Sequence, residues 1–353
     1  MKIAGLFFLL FLSTISTFAC RFTIREIGYT RLNIETYLVK FELDTVANRE
    51  LVKEFRNIAD GYSGNSNVNY RIVHVQGRKP SLVCTNSNDN VIAENEVLGA
   101  NDITVFFRQL FYSPLQKMMY NQIGNVFAFV VGFYDDGDSK MNSIIDKAFS
   151  QFAKVSSDLD KKVDENIMKI VIPGSKRKEE KILIRALGLN PDDHKPVVVV
   201  IYGRGRLTGM PLKGDDITVH NLLNQLVTLG TDCECGIDLS PLLQRAIPFV
   251  WTDDMNRDVF KMLEIDVENP MVLTEMSQIL SKEPLETGKS DFSFAPQTID
   301  LDAALKKNKT SDENVVADNA DEYSPFRVAF IFLGIMLFVI IGIGLFLVRR
   351  NKQ

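Results

Sequence analysis

Apolar positions along this chain change period several times, and each change predicts an element. Tyr37-Leu38-Val39-Lys40-Phe41-Glu42-Leu43 alternates in part between apolar and polar residues, the pattern of a strand. Asp44 or Thr45 is placed to cap a helix in which Val46, Leu51, Val52, Phe55 and Ile58 recur at helical spacing. Gly61 to Asn67 reads as a turn and Asn69 to Val75 as a second strand. Pro80 opens a strand through Cys84, Asn86 to Asn90 turn, and Val91-Ile92-Ala93 returns. Asp102 is the expected cap of a helix carrying Val105, Phe106 and Leu110, and Pro114 stops its continuation.

The second half repeats the plan with more apolar strands. Asn125 to Tyr134 is nearly all apolar, as expected of a strand buried on both faces. Ser139 is the expected cap of a helix with Ile145, Phe149, Phe152 and Ala153 on its apolar face. Ile167 to Ile172 predicts a strand, Glu179 to Leu187 a short helix, and Val197 to Ile201 a buried strand. Gly203-Arg204-Gly205-Arg206 reads as a turn, with Leu207 to Leu212 pairing back. Asp216 caps a last helix that turns Val219, Leu222, Leu223 and Leu226 inward and ends at Gly230. Asp253 to Leu280 reads as helical, interrupted by Pro270, with Trp251 packing against it. Lys79-Pro80 before one strand and Lys195-Pro196 before another are each followed by Asp-Ile-Thr-Val, at Asp102 and Asp216, which suggests an internal duplication.

The order strand, helix, strand, helix, strand, strand, helix resembles the thioredoxin-like family, most closely from Leu187 to Gly214. The first unit lacks the middle helix. The resemblance implies an α/β fold of two tandem thioredoxin-like units, and Pro196 and Pro80 would match the family's cis-proline. It also implies a binding groove beside Pro80 and Pro196, where exposed backbone can take an extended strand. Members of this family that do redox chemistry carry Cys-x-x-Cys where the first strand meets the first helix, because the helix N-terminus favours a thiolate. Here those places read Tyr134-Asp135-Asp136-Gly137-Asp138-Ser139-Lys140 and Leu43-Asp44-Thr45-Val46, with no cysteine.

Both ends suggest a destination. A basic start, an apolar run from Ile3 to Leu12 and small residues up to Ala19 describe a signal peptide, placing the mature start at Cys20. Val328 to Val348 has no charged residue, and at about 1.5 Å per residue it is long enough to cross a hydrocarbon core of ~30 Å. Arg349, Arg350 and Lys352 follow, which orients that end inward. The net charge of −5 falls in residues 282–325, where Pro, Gly, Ser, Thr and Asn accompany the acids, as in a flexible linker. The expected organisation is signal peptide 1–19, thioredoxin-like units 20–120 and 121–237, helical extension 238–281, acidic linker 282–325, transmembrane helix 326–348 and tail 349–353. The expected partners are the membrane, through Val328 to Val348, and envelope proteins or peptides; no basic face points to nucleic acid.

Four cysteines remain: Cys20, Cys84, Cys233 and Cys235. An even number in an oxidising compartment makes all four disulfide candidates. The sharper alternative is a redox or soft-metal pair at Cys233-Glu234-Cys235, which lacks the further ligands of a tetrahedral site. Asp135, Asp136 and Asp138 do not have calcium-loop spacing, and His74, inside a strand, reads as a packed core histidine. No cofactor is implied and no catalytic constellation stands out. The expectation is a non-catalytic, membrane-tethered binding or scaffolding protein outside the cytoplasm; the alternative is a thiol- or metal-handling protein using Cys233 and Cys235.

Overall fold

The computed structural model describes residues 22–44, 49–159, 161, 163, 166–231 and 240–281. These lie in a unit that extends to Pro296. Along it run α1 (Ile24–Gly28), β1 (Tyr37–Leu43), α2 (Arg49–Ser63), β2 (Val68–His74), β3 (Ser81–Thr85), β4 (Val91–Glu96), α3 (Ala100–Phe111) and α4 (Pro114–Tyr120). The second half holds β5 (Val126–Phe133), α5 (Ser139–Val155), β6 (Asn166–Val171), a 3-10 stretch (Gly174–Glu180) leading into α6 (Lys181–Ala186), β7 (Val197–Tyr202), β8 (Arg206–Leu207), β9 (Leu212–Lys213) and α7 (Val219–Gly230). α8 (Ser240–Leu243), α9 (Asp253–Leu263) and α10 (Pro270–Ser281) follow.

The strands form two sheets of the same design. In the first the order is β2-β1-β3-β4, with β1 parallel to β2 and antiparallel to β3. In the second the order is β6-β5-β7-β8, with β5 parallel to β6 and antiparallel to β7, and with β9 pairing the other end of β7. Both strands introduced by Lys-Pro, β3 and β7, hold the same station beside the central strand. The parallel pairs need a crossover, which α2 and α5 supply. Between β2 and β3 the chain runs through residues 75–80 without a helix, as the pattern predicts.

Burial follows the period of each segment. β1 is buried at every second position, whereas β5 and β7 are buried throughout. One core gathers Phe41, Phe55, Phe106, Phe107 and Phe111 under the first sheet, and the other gathers Phe129, Phe133, Ile201 and Trp251 at the second. Trp251 shares that core with Met255, Val259 and Val267, so it does pack the segment that follows it.

Several local expectations shift by one to three residues. Asp102 sits at the third helical residue and reaches back, accepting from Leu98 N (2.8 Å) and Gly99 N (3.1 Å). Asp138 caps α5 in place of Ser139, and Thr218 caps α7 in place of Asp216. Pro114 opens a new helix as well as ending the last, with Ser113 as its cap. His74 is exposed at the end of β2, not packed in the core.

The membrane reading is corrected. Among the described residues no helix is long and apolar enough to cross a membrane. The longest, α5, has 17 residues and buries only one face, whereas a span needs about 20 consecutive apolar residues. The expectations of a transmembrane helix, a single-pass tether, the membrane as partner and an extracytoplasmic placement are therefore not carried forward. The residues that prompted them, 1–19 and Val328 to Val348, lie outside the described residues, as do the linker 282–325 and the tail. The expected cis-proline is also corrected: the described residues contain no cis peptide bond, so Pro80 and Pro196 follow trans bonds.

Candidate functional site

Residues 244–251 run extended between the two sheets as a strap. Its odd-numbered apolar residues, Ile247, Phe249 and Trp251, enter the second core, while Val250 enters the first. The alternation is that of a β-strand, but the strap makes only two isolated bridges, Ala246 with Arg206 of β8 and Val250 with Ser66 just before β2. From Ala246 to Trp251 its remaining backbone groups are buried and need partners from elsewhere.

Side chains supply them. Asn67 Nδ2 donates to Ile247 O (2.9 Å), and Asn67 Oδ1 accepts from Phe249 N (2.8 Å). Gln116 Nε2 donates to Pro248 O (2.7 Å) and Tyr37 Oη to Ala246 O (2.6 Å). Val250 N donates to Tyr120 Oη (3.4 Å) and Ala246 N to Glu35 Oε2 (3.4 Å). Main-chain groups complete the set: Ile247 N to Gly205 O (2.9 Å), Leu207 N to Arg245 O (2.9 Å), Glu35 N to Gln244 O (2.6 Å) and Trp251 N to Asn65 O (2.6 Å). Every amide hydrogen from Ala246 to Trp251 thus has an acceptor, and Pro248 has no hydrogen to place.

The turn Gly203-Arg204-Gly205-Arg206 grips both ends of the strap. Arg204 stacks over Trp251 with its guanidinium carbon 4.2 Å from the ring centroid, donates to Tyr29 O (2.6 Å) and pairs with Glu268. Arg206 is 0% exposed. It donates to Leu243 O at the strap's start and to Gly28 O, Thr30 O and Leu32 O of the N-terminal segment. Burial pulls Arg204 down to about 9 and Arg206 down to about 10, because desolvation disfavours the cation. Gly205 has φ +75°, and a Cβ there would lie 2.7 Å from Phe249 Cδ2 and 2.8 Å from Ile247 Cγ1, so the turn must be glycine for the strap to lie against it. The sequence pattern read this segment only as a turn. The overlooked signals were two arginines alternating with glycines, and an unbroken apolar run around Pro248 outside any strand-and-helix unit.

The junction of β5 and α5 is tied by its acids. Asp138 caps α5, accepting from Met141 N (3.0 Å), and Asp135 Oδ1 accepts from Gly174 N (3.4 Å), so two of the three acids there tie the loop. Arg177, 4% exposed, spans the end of β5 and the Pro196 loop, donating to Phe133 O (2.6 Å), Lys195 O (3.2 Å) and Asp193 O. Lys195 N donates to Asp193 Oδ1 (3.0 Å), and Pro196 O accepts from Gly214 N (3.4 Å). The backbone beside Pro196 is therefore engaged within the fold. Beside Pro80, Pro80 O accepts from Val97 N (2.8 Å).

Cys84 is buried in β3 and carries a free thiol, which burial pushes up; no disulfide reaches it among the described residues. Cys20, Cys233 and Cys235 lie outside the described residues. Among the described residues no group of three or more His, Cys, Asp or Glu side chains could hold a metal ion. His194 and His220 are both exposed, the latter 3.0 Å from Asn224 Nδ2.

No protein-family model matches this chain, and no curated protein matches it. Among solved structures, the first two thioredoxin domains of Saccharomyces cerevisiae Eps1p align over 57% of this chain and 92% of that chain, at 8% identity and a TM-score of 0.19. The similarity to thioredoxin-fold domains is weak and partial.

Proposed function

We propose that the described body is a polypeptide-recognition module, with 20–120 and 121–237 as tandem thioredoxin-like units and the cleft between the two sheets as its recognition site. The observation that carries this reading is the clasp of Asn67 on Ile247 O and Phe249 N. An amide that pairs with both polar groups of an extended backbone reads main chain, and the side-chain positions beside it supply the selectivity. Gln116 and Tyr37 act in the same way on neighbouring carbonyls. Main-chain hydrogen bonds combined with pockets for alternate side chains are how extended peptides are recognised in general.

The test uses the full chain and a fluorescein-labelled peptide with the sequence of residues 244–251. Anisotropy rises saturably with the strap sequence and not with a scrambled peptide of the same composition. Equal signals from the two peptides, or no binding of the strap sequence to the wild type or to variants with a weakened strap, overturn the reading.

A further inference from the structure

We infer that the strap is the cleft's own ligand, that the Arg204–Glu268 pair latches it closed, and that the cleft selects extended apolar segments carrying a proline. This rests on the reading of the cleft as a polypeptide site.

The latch follows from what holds Trp251. Its indole lies under the Arg204 guanidinium, which is itself tied to Tyr29 O and to Glu268. Glu268 lies beyond α9, and its side chain is 32% exposed, whereas that of Arg204 is 6% exposed. Arg31 also approaches Glu268 Oε1, at 3.8 Å, from the N-terminal segment. Releasing Trp251 therefore means parting the indole from a buried guanidinium that Glu268 helps to hold in place, and the exposed carboxylate is the partner that can be changed without opening the core.

The ligand class follows from the backbone accounting. At Pro248 the carbonyl meets Gln116. The flanking amides of Ile247 and Phe249 meet Gly205 O and Asn67 Oδ1. A residue with an N–H in the position of Pro248 would bring a buried donor with no acceptor among these groups, whereas proline brings none. Large apolar side chains fit at the positions of Ile247, Phe249 and Trp251, which enter the second core. The occupant is thus an apolar stretch of another polypeptide resembling Ile247-Pro248-Phe249-Val250-Trp251.

A competing peptide reaches the cleft only in the fraction of molecules whose strap is open, so its apparent affinity scales with that fraction. Anisotropy of a labelled strap peptide with alanine in the position of Trp251, so that the ligand itself makes no contact to Arg204, is measured against the wild-type full chain, Glu268→Ala and Arg204→Lys, each first shown to unfold cooperatively. Glu268→Ala and Arg204→Lys bind about tenfold more tightly than wild type if the pair is the latch. A peptide with alanine in place of the proline binds about tenfold more weakly to every form, as a buried unpaired N–H requires. A dimer that forms in Glu268→Ala and dissolves on adding peptide also supports the inference, with the second copy's strap as the ligand. Equal affinity of wild type and both variants overturns the latch and leaves the cleft reading standing. Equal affinity of the proline and alanine peptides overturns the ligand class. Absence of binding by all three proteins overturns the cleft reading itself.

Discussion

Replacing Asn67 by alanine should cost about 3 kcal/mol, most of it from one orphaned amide. Asn67 Nδ2 donates to Ile247 O at 2.9 Å and Glu35 O at 3.0 Å, and Oδ1 accepts from Phe249 N at 2.8 Å. The residue is 8% exposed, so little water can enter to replace what is lost. The Phe249 amide is left buried without an acceptor, at about 1–3 kcal/mol, and two carbonyls each lose a bond worth about 0.5–1.5 kcal/mol. Because the three bonds share one side chain, their costs do not simply add. Urea unfolding followed by the fluorescence of Trp251, the single tryptophan, reads the loss where it occurs. With a slope of about 3 kcal/mol per M, the midpoint falls by about 1 M. Asn67→Asp sharpens the test, since it keeps the acceptor for Phe249 N but turns an oxygen toward two carbonyls. Repulsion and burial raise the folded-state pKa of the introduced carboxyl above its unfolded value. Its deficit against wild type is therefore smallest below the unfolded value of about 4 and grows as pH rises through the folded one. A loss below about 0.5 kcal/mol for Asn67→Ala, within the range of surface substitutions, refutes the clasp. So does an Asn67→Asp protein as stable as wild type at pH 7.

Three further outcomes are expected. Gly205→Ala forces a Cβ to within 2.7 Å of Phe249 Cδ2 at a φ of +75°, and should cost more than about 2 kcal/mol by thermal or urea unfolding; a neutral effect would mean the strap gives way easily. Glu180, 1% exposed, accepts from Leu115 N (2.7 Å), and burial raises its pKa against the hydrogen bonds from Ser113 and Leu115 that lower it. Its raised folded-state pKa favours folding below the unfolded value, and that stability is lost as pH rises through the folded one. Glu180→Gln should therefore gain stability over wild type at pH 8 and not near pH 4; the reverse trend in paired urea titrations counts against a desolvated carboxylate. Cys84, buried with its thiol pushed up, should resist alkylation in the native protein at pH 8 and react in denaturant; peptide mapping that finds it labelled faster than the protein unfolds contradicts that burial.

Much of the local structure is legible in the chain because its causes are local. The alternation of Tyr37 to Leu43 returns as β1 with the same bounds, and the continuous apolar runs return as β5 and β7, buried on both faces. The caps were legible to within one helical turn: several short polar residues cluster at each start, and which of them meets the free amides depends on where the preceding strand leaves the chain. Pro80 and Pro196 were singled out by their place before matching strands, and they do hold matching places. Their backbone surroundings were not legible, because Arg177, which engages the Lys195 carbonyl, comes from a segment whose course no periodicity reports.

The sequence by itself determined the strands, the main helices, the lack of cysteine at both strand-to-helix junctions and the doubling of one plan along the chain. Each of these is written in the identity or spacing of near neighbours. Only the tertiary structure decided that residues 244–251 lie between the sheets, and that Arg206 spends its donors on carbonyls more than 170 positions away in the N-terminal segment. It alone brought Asn67 against a backbone 180 positions on. A buried extended segment without a ladder must borrow its hydrogen bonds from side chains. Those side chains come from whatever the fold packs beside it, and no local pattern records which they will be.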